Sequence, residues 1–166
     1  RKRENSHIGK FGLSEKHHIV TIACGKEHTL LLTDNGEAIG WGGNSRGQLG
    51  LGYNDFRSIN QPKRVGISSI THIACGQYHS ACLTGPGVLY TWGAGEYNGH
   101  GPSNINGYYS NIKKSIKFKD DSQPKQLTCN GGKRVYNLVC GDSFTVVRCG
   151  SNLYSWGKDI NGQLGR

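Results

Sequence analysis

A block of 30 residues occurs three times in this chain, at a spacing of about fifty residues between the first two copies, and constrains its fold more than any other feature. The first copy runs from Ala23 to Gly52, ACGKEHTLLLTDNGEAIGWGGNSRGQLGLG, and further copies begin at Ala74 and Val139. The cysteine near the start of the block recurs after 51 residues, from Cys24 to Cys75. A period of this length is typical of proteins in which each copy builds one supersecondary unit and neighbouring units share a core.

Within each copy the pattern predicts short β-strands separated by glycine-containing turns. Short apolar runs bounded by glycine predict buried strands, and a turn with glycine at its end predicts a hairpin. A proline restricts a strand to a sheet edge, so the segments that begin Gln-Pro are predicted to be outer strands. In chain order, the predicted strands are Ile19–Cys24, His28–Thr33, Glu37–Trp41 and 61–65, then Ile70–Cys75, His79–Thr84 and 123–127, then Val135–Cys140 and Phe144–Cys149.

Four short strands in a unit of about fifty residues predict the blade of a β-propeller, so the fold class is all-β. Each tryptophan is followed by glycine rather than aspartate, which disfavours WD-type blades, and the glycine pair follows Trp41, which disfavours kelch blades. We expect one propeller segment of about three blades. Its predicted parts are 1–18 (the tail of a preceding repeat), 19–65, 70–127 with an insert at 103–122, and a truncated repeat at 135–166. The chain begins with arginine and contains no methionine, so we expect it to be a piece of a longer protein.

The repeated motif resembles the repeat of the regulator of chromosome condensation family. It reads Ala23-Cys24-Gly25, His28-Thr29, Trp41-Gly42, Asn44 and Gly47-Gln48-Leu49-Gly50. The second copy retains Asn98 and Gly99 but has His100-Gly101 in place of Gln-Leu-Gly, and the third copy has Phe144 in the histidine place. The resemblance implies a propeller that usually has seven blades.

The residues that repeat are interpreted as structural. We expect the glycines Gly25, Gly76 and Gly141 to serve a turn that other residues would strain. The tryptophans Trp41, Trp92 and Trp156 are expected to fill the gaps between blades. His28 and His79 are expected to hydrogen-bond the turn, because a metal or catalytic histidine would not be replaced by phenylalanine in an equivalent unit. The cysteines Cys24, Cys75 and Cys140 are expected to be buried, reduced fillers of the inner strands, and no residue spacing predicts a metal site or a cofactor.

The positions that vary between copies are the candidates for partner binding. Between the turn glycine and the histidine place lie Lys26-Glu27, Gln77-Tyr78 and Asp142-Ser143, which we expect to be exposed. The resemblance implies that, in the exchange factor that names the family, this turn faces the GTPase Ran and carries acidic and histidine residues. In this chain only Asp142 matches that pattern. In the ultraviolet-B photoreceptor branch, tryptophan occupies the first of these positions in several blades, so photoreception is disfavoured here.

The second variable region is the basic, aromatic insert. The candidate partner-binding residues in it are Tyr108, Tyr109, Lys113, Lys114, Lys117 and Lys119. A loop of this composition could clamp an acidic partner, or it could be a merely solvated excursion. The formal net charge of +9 favours an acidic protein surface or nucleic acid as the partner.

The function predicted first is a non-catalytic platform that binds a macromolecule through its variable loops. Two alternatives stay open: guanine-nucleotide exchange on a small GTPase, and chromatin or nucleic-acid binding through the basic surface. No apolar run is long enough for a membrane span, and the expected location is nuclear or cytoplasmic. A three-blade arc would leave apolar end faces, so we expect either further repeats in the parent chain or self-association.

Overall fold

The computed structural model describes residues 18–100 and 119–165, which form three antiparallel sheets, one for each copy of the repeat. The first sheet contains β1 (Ile19–Cys24), β2 (His28–Thr33), β3 (Ala38–Asn44) and β4 (Asp55–Arg64) in that order. The second contains β5 (Ile70–Cys75), β6 (His79–Thr84), β7 (Leu89–Gly93) and β8 (Asp121–Leu127). The third contains β9 (Val135–Cys140), β10 (Phe144–Cys149) and β11 (Asn152–Gly157), and a short 3₁₀ turn at Asn130–Gly132 precedes it.

The outer strands differ from the sequence prediction in length. β4 begins at Asp55, six residues before the predicted start, so Pro62 lies inside the strand rather than at its first residue. Pro124 likewise lies inside β8. Both strands are at sheet edges, where the missing N–H of proline removes no ladder hydrogen bond. The predicted edge position is therefore confirmed, and the predicted start was wrong because a proline at an edge need not end a strand.

Neighbouring sheets are joined by two separate hydrophobic clusters. We call the contact between the first and second sheets the first joint and the contact between the second and third sheets the second joint. Leu30 and Leu32 of β2 pack with Cys82 and Trp92 in the first joint. The equivalent residues of the second joint are Ala81, Leu83, Val147 and Trp156. The second sheet thus presents one face to the first sheet and the other to the third.

The glycines of the first turn are required for a different reason from the one expected. Gly25, Gly76 and Gly141 do not have positive φ. A Cβ at Gly25 or Gly76 would overlap the ring of the histidine three residues later, and at Gly141 it would overlap the Phe144 ring. Close approach of a side chain, rather than backbone strain, therefore excludes larger residues here.

In the part of the chain that the structure describes, no helix is both long enough and apolar enough to span a bilayer.

Candidate partner-binding face

The three variable turns lie side by side at one end of the sheets. The Lys26 N–H donates to the Gln77 carbonyl at 3.3 Å, and the Gln77 N–H donates to the Asp142 carbonyl at 2.7 Å. Equivalent residues of successive sheets are thus linked through their backbones. We call the end of the sheets that carries these turns the turn face.

The loop that follows each tryptophan emerges at the same end. The Glu27 carbonyl accepts a bond from Gly43 N–H at 2.5 Å, and the Tyr78 carbonyl accepts one from Ala94 N–H at 2.8 Å. In the third sheet, the Ser143 carbonyl accepts from Lys158 N–H at 2.8 Å. The structure therefore brings the turns and the first residues of the post-tryptophan loops to one face. The insert, which is the second variable region of the sequence analysis, lies outside the described residues except for 119–122.

Lys26 and Tyr78 form a pair across the first joint on this face. The Lys26 ammonium donates to the Tyr78 hydroxyl at 2.9 Å and lies 5.2 Å from the centroid of its ring. The hydrogen bond to Tyr78 is the main cause that raises the pKa of Lys26 above its ordinary value. Since Lys26 is exposed and Tyr78 is partly buried, the pair offers a positioned cation beside an aromatic edge.

The carboxylate of Asp142 on the turn face is oriented by Ser143, a residue that we expected to be exposed. Asp142 is exposed, but Ser143 is 4% exposed, and its hydroxyl donates to the Asp142 carboxylate at 2.7 Å. The expected exposure was therefore wrong for Ser143. Its side chain orients Asp142 and leaves little surface for a partner.

A second charged group on this face was missed by the sequence analysis. The Arg46 guanidinium binds both oxygens of Asp120, at 2.5 and 2.9 Å, and lies 3.5 Å from the Glu96 carboxylate. Asp120 also accepts the Gly95 N–H at 3.0 Å. These residues are far apart in sequence and belong to loops of different length, so no spacing in the repeat identified them. The pairing with Asp120 raises the pKa of Arg46 further, so its charge is permanent.

Insert residues can be placed only at the insert's ends. Tyr108, Tyr109, Lys113, Lys114 and Lys117 lie outside the described residues. Lys119 is described and exposed, and the preceding described residue, His100, is partly buried with its ring 2.9 Å from the Thr91 hydroxyl. Both flanks belong to the loop after Trp92, which starts beside Tyr78 on the turn face.

Behind the turn face, the histidines connect sheets rather than closing their own turns. His28 Nε2 lies 2.8 Å from the hydroxyl of Ser80, and that hydroxyl donates to the Gln48 carbonyl at 2.8 Å. Because Ser80 has a single proton, the network assigns the donor role to His28 Nε2. In the second joint, His79 Nε2 lies 2.9 Å from the Thr145 hydroxyl. The expected bond to the turn was therefore wrong; the turn is closed by a backbone bond from Gly25 N–H to the His28 carbonyl.

Burial sets the protonation state of these histidines. Removal from water lowers the pKa of His28 and of His79 from 6.5 to about 4, so both are neutral at pH 7. Their Nδ1 atoms are buried with no hydrogen-bond partner, which makes the charged form still less favourable. The rings are structural links between sheets and are not positioned as acid–base groups.

Trp92 and Trp156 lie between sheets, but their environments are not equivalent. Trp92 is fully buried, and its indole N–H donates to the Gln48 carbonyl at 2.9 Å. Trp156 is 8% exposed, and within residues 18–100 and 119–165 its indole nitrogen has no hydrogen-bond partner. Trp41 faces the side where the structure describes no preceding sheet, and it is partly exposed.

The structure also corrects the alignment of the second loop. A Cβ at Gly50 would lie 2.9 Å from the Trp92 indole nitrogen. A Cβ at Gly99 would lie 2.6 Å from the Trp156 indole nitrogen, so Gly99 holds the corresponding place in the second loop. Asn98 is buried like Leu49, and the Thr91 hydroxyl donates to its carbonyl as the Ser155 hydroxyl donates to that of Leu164. Asn98-Gly99 therefore matches Leu49-Gly50, and not Asn44 and Gly47 as the sequence analysis had it. The loop after Trp92 reaches this point two residues earlier than the loop after Trp41.

The cysteines differ in burial although they share a repeat position. All six cysteines of the chain are free thiols in the structure. Cys75 and Cys140 are partly buried, whereas Cys24 is exposed because no described sheet covers its side of β1. The expectation of burial was therefore wrong for Cys24. Among the described residues, no group of histidine, cysteine and carboxylate side chains could hold a metal ion.

Comparison with known families matches the repeat that these contacts define. The sequence profile of the regulator of chromosome condensation (RCC1) repeat matches residues 35–83, and a second profile of the same repeat matches 19–48 and 70–101. The chain belongs to this family. Its sheets are blades of the family's β-propeller, as the sequence predicted.

The chain spans about a third or less of two curated relatives and one solved structure that it matches. The X-linked retinitis pigmentosa GTPase regulator homolog of Caenorhabditis elegans is 35% identical over 80% of this chain, which spans 9% of that relative. The ultraviolet-B receptor of Arabidopsis thaliana is 35% identical over 89% of this chain, which spans 31% of it. The crystal structure of Prp20p from Saccharomyces cerevisiae matches with a TM-score of 0.72 and 27% identity, covering 89% of this chain and 35% of that one.

Proposed function

We propose that this chain is a non-catalytic protein-interaction segment of a propeller and that it binds its partner through the turn face. The observation that carries the proposal is the backbone link from Lys26 to Gln77 to Asp142. This backbone link brings into one row the turn positions that differ between repeats. The residues packed behind these turns recur from repeat to repeat and hold the sheets together. Variable side chains on a fixed scaffold are the usual arrangement of a binding surface.

The chemistry of the turn face suits a protein surface that carries both signs of charge. Lys26 and Tyr78 offer a cation and an aromatic edge, and Asp142 offers a carboxylate whose position is fixed by Ser143. Tyrosine and arginine are enriched at protein interfaces because they contribute large contact areas with hydrogen-bonding ends. Lys119, at the flank of the insert, adds a further cation on the same loop as Ala94.

The test places a photo-crosslinking amino acid at Gln77 and, as a matched control, at Gly85, which is exposed in the hairpin at the opposite end of the same sheet. We expect protein adducts from position 77 that disappear when K26E and D142K are added. Equal adducts from both positions, or adducts that persist in the charge-reversal variant, would contradict binding through the turn face.

A second candidate function is guanine-nucleotide exchange on a small GTPase. It is favoured by the exposure of Asp142 and by two relatives: one is named as a GTPase regulator homolog, and Prp20p is described together with its binding to Gsp1p and histones. The measurement is the release of fluorescent GDP from a Ran-type GTPase. Acceleration that is lost in D142N but retained in D34N, which changes an aspartate at the opposite end of the first sheet, would establish exchange; no acceleration would remove it.

The remaining alternative is nucleic-acid or chromatin binding through the basic surface. The dependence of affinity on salt concentration distinguishes it from protein binding. Binding carried by phosphate contacts weakens steeply as salt rises from about 50 to 200 mM. A complex whose affinity changes little over that range is a protein complex of the kind proposed here.

A further inference from the structure

The face that the third sheet turns away from the second sheet does not follow the pattern of the other two. Leu32 in β2 and Leu83 in β6 hold the same repeat position, and each is 2% exposed in the core of a joint. The third sheet has Arg148 at this position, in β10, and it is exposed. An arginine therefore occupies the place where two sheets bury leucine against the next sheet.

The histidine position of the same face is also changed. His28 and His79 each place Nε2 within hydrogen-bonding distance of a hydroxyl on the following sheet, Ser80 or Thr145. Phe144 holds this position in the third sheet, and its ring lies against Gly141 as the histidine rings lie against Gly25 and Gly76. The ring geometry is retained, but the donor that pairs with a hydroxyl is gone.

Arg148 has no acidic partner within the described chain. Its guanidinium lies 5.3 Å from the centroid of the Tyr136 ring, as does that of Arg134, and it donates to the Gly150 carbonyl at 3.4 Å. No carboxylate of residues 18–100 or 119–165 forms an ion pair with either arginine. Two guanidinium groups without a carboxylate partner among the described residues therefore lie near the Tyr136 ring.

The rest of the face is apolar and suited to packing. Leu153 is 71% exposed, whereas Ala38 and Leu89 at its repeat position are buried in the joints. Val146 and Leu164 line a groove beside it. The face thus keeps the apolar surface of a joint and adds a positive charge at its edge.

We propose that this face docks a further repeat sheet that carries a carboxylate at the position of Ile70 and Val135 and has no hydroxyl at the position of Ser80 and Thr145. The Ile70 N–H donates to the Gly36 carbonyl and the Val135 N–H to the Gly87 carbonyl, so this residue sits at the hairpin end of the preceding sheet. Leu83 and Val135 line one small cavity there, so this is the residue that a following sheet brings toward Arg148. Covering an arginine without a counter-charge is strongly unfavourable, whereas a carboxylate there completes an ion pair. A hydroxyl opposite Phe144 would lose the bond that His28 supplies to Ser80 and His79 supplies to Thr145.

The same reasoning excludes an unmodified second copy of this chain as the occupant. The first sheet offers Ile19 and Thr29 at the two positions. Ile19 would cover Arg148 without neutralising it, and the Thr29 hydroxyl would face Phe144. The two exposed end faces of the chain are therefore mismatched with each other, although both are apolar enough to associate.

The test compares self-association of four chains by analytical ultracentrifugation. The first is the natural chain. The second, F144H/R148L, restores in the third sheet the residues of the other two sheets, and the third, I19E/T29V, gives the first sheet the proposed matching residues. The fourth combines all four changes. We expect the natural chain and the fourfold variant to be monomers. The two double variants should associate at least about tenfold more tightly. The association of I19E/T29V should weaken with salt and be lost when R148Q is added.

The matched control is R57L, which replaces a side chain that is 91% exposed on β4 and should not change association. Circular dichroism checks that F144H/R148L folds. If it does not, the proposal is tested by comparing the self-association of I19E/T29V with that of the natural chain. Association of the natural chain as tight as that of I19E/T29V, or four monomers, would overturn the proposal. So would binding of a polyglutamate peptide that depends on Arg148 while I19E/T29V stays monomeric, because the face would then accept an acidic peptide and not a sheet.

Discussion

Between the first and second sheets, the Gln48 carbonyl accepts two buried bonds, one from the Trp92 indole and one from the Ser80 hydroxyl that His28 also binds. Between the second and third sheets, the indole nitrogen of the equivalent tryptophan, Trp156, has no hydrogen-bond partner among the described residues. The first joint also has the Arg46 ion pairs, and among the described residues no ion pair crosses the second joint. The same repeat positions therefore produce two joints of different polarity and completeness.

The loop after each tryptophan explains the difference. Gln48 precedes Leu49-Gly50 in the longer first loop, and its backbone carbonyl points into the joint. The second loop reaches its equivalent glycine, Gly99, two residues sooner and leads into the insert. The shorter second loop keeps Gly99 beside Trp156. Among the described residues, it does not supply a carbonyl that accepts the Trp156 indole N–H as the Gln48 carbonyl accepts that of Trp92. The comparison teaches that loop length, as well as the repeated residues, decides how strongly neighbouring blades are joined.

The largest expected effect comes from removing each tryptophan. We expect W92A to lower the free energy of unfolding by about 3–5 kcal/mol, because it leaves a cavity and an unpaired Gln48 carbonyl. W156A should cost about 1 kcal/mol less, since its indole makes no hydrogen bond. Urea unfolding followed by circular dichroism measures both. Equal losses would show that the hydrogen bond to Gln48 adds nothing to the first joint.

The second prediction concerns pH and applies to both joints. The pKa of His28 and His79 is about 4 in the folded chain and near 6.5 when unfolded, so the unfolded chain binds more protons between these values. Stability is therefore complete above pH 6.5 and falls as the pH drops toward 4, by about 3 kcal/mol for each histidine. In H28F/H79F the loss over this interval should be reduced. An unchanged pH profile in this variant would assign the acid sensitivity to other groups.

Removing one hydroxyl from each joint should give a smaller effect. S80A leaves His28 Nε2 without a partner and takes one bond from Gln48, so we expect a loss of about 2 kcal/mol in the free energy of unfolding. T145V removes the single partner of His79 and keeps the side-chain volume, so about 1 kcal/mol is expected. Denaturant midpoints of the two variants at pH 7 make the comparison. A larger loss in T145V would reverse the order of the two joints.

The smallest effect is expected for the ion pairs at the rim of the first joint. R46Q should cost about 0.5–1 kcal/mol, because Arg46 and its carboxylates are only partly buried. The cost should shrink at high salt, which screens such pairs. R64Q breaks the pair with Glu37 inside the first sheet and serves as the control, since it does not cross a joint. If R46Q and R64Q respond alike, Arg46 has no special role in joining the sheets.

Much of the fold could be predicted because the repeat reports the same environment several times. The small residues beside Gly25 and the tryptophan-glycine pair recur with fixed spacing, so strands and their order followed from the pattern. Gly36, at the end of the predicted hairpin turn, has φ of 76° as that turn requires. The partner of His28 was beyond this reasoning, because Ser80 lies in the next unit and becomes a neighbour only when the sheets stack.

The candidate site could be predicted in position but not in composition. Lys26, Gln77 and Asp142 were identified because they differ where their neighbours repeat, and the structure places them in one row. Arg46 and Asp120 were missed because their pairing depends on two loops of unequal length. The misalignment of Asn98 has the same origin: Asn-Gly occurs in more than one place in such loops, and only contact with Trp156 shows which glycine is which.

The row of backbone bonds that links Lys26, Gln77 and Asp142 has a consequence for how such a protein can change over time. Because each bond uses a main-chain N–H and carbonyl, it is independent of the side chain that the residue carries. New side chains can be substituted at these turns while the stacking of the sheets is left intact. The same framework can therefore acquire a different binding partner through a few surface substitutions, and these turns are the natural positions at which to randomise the chain when selecting new binders.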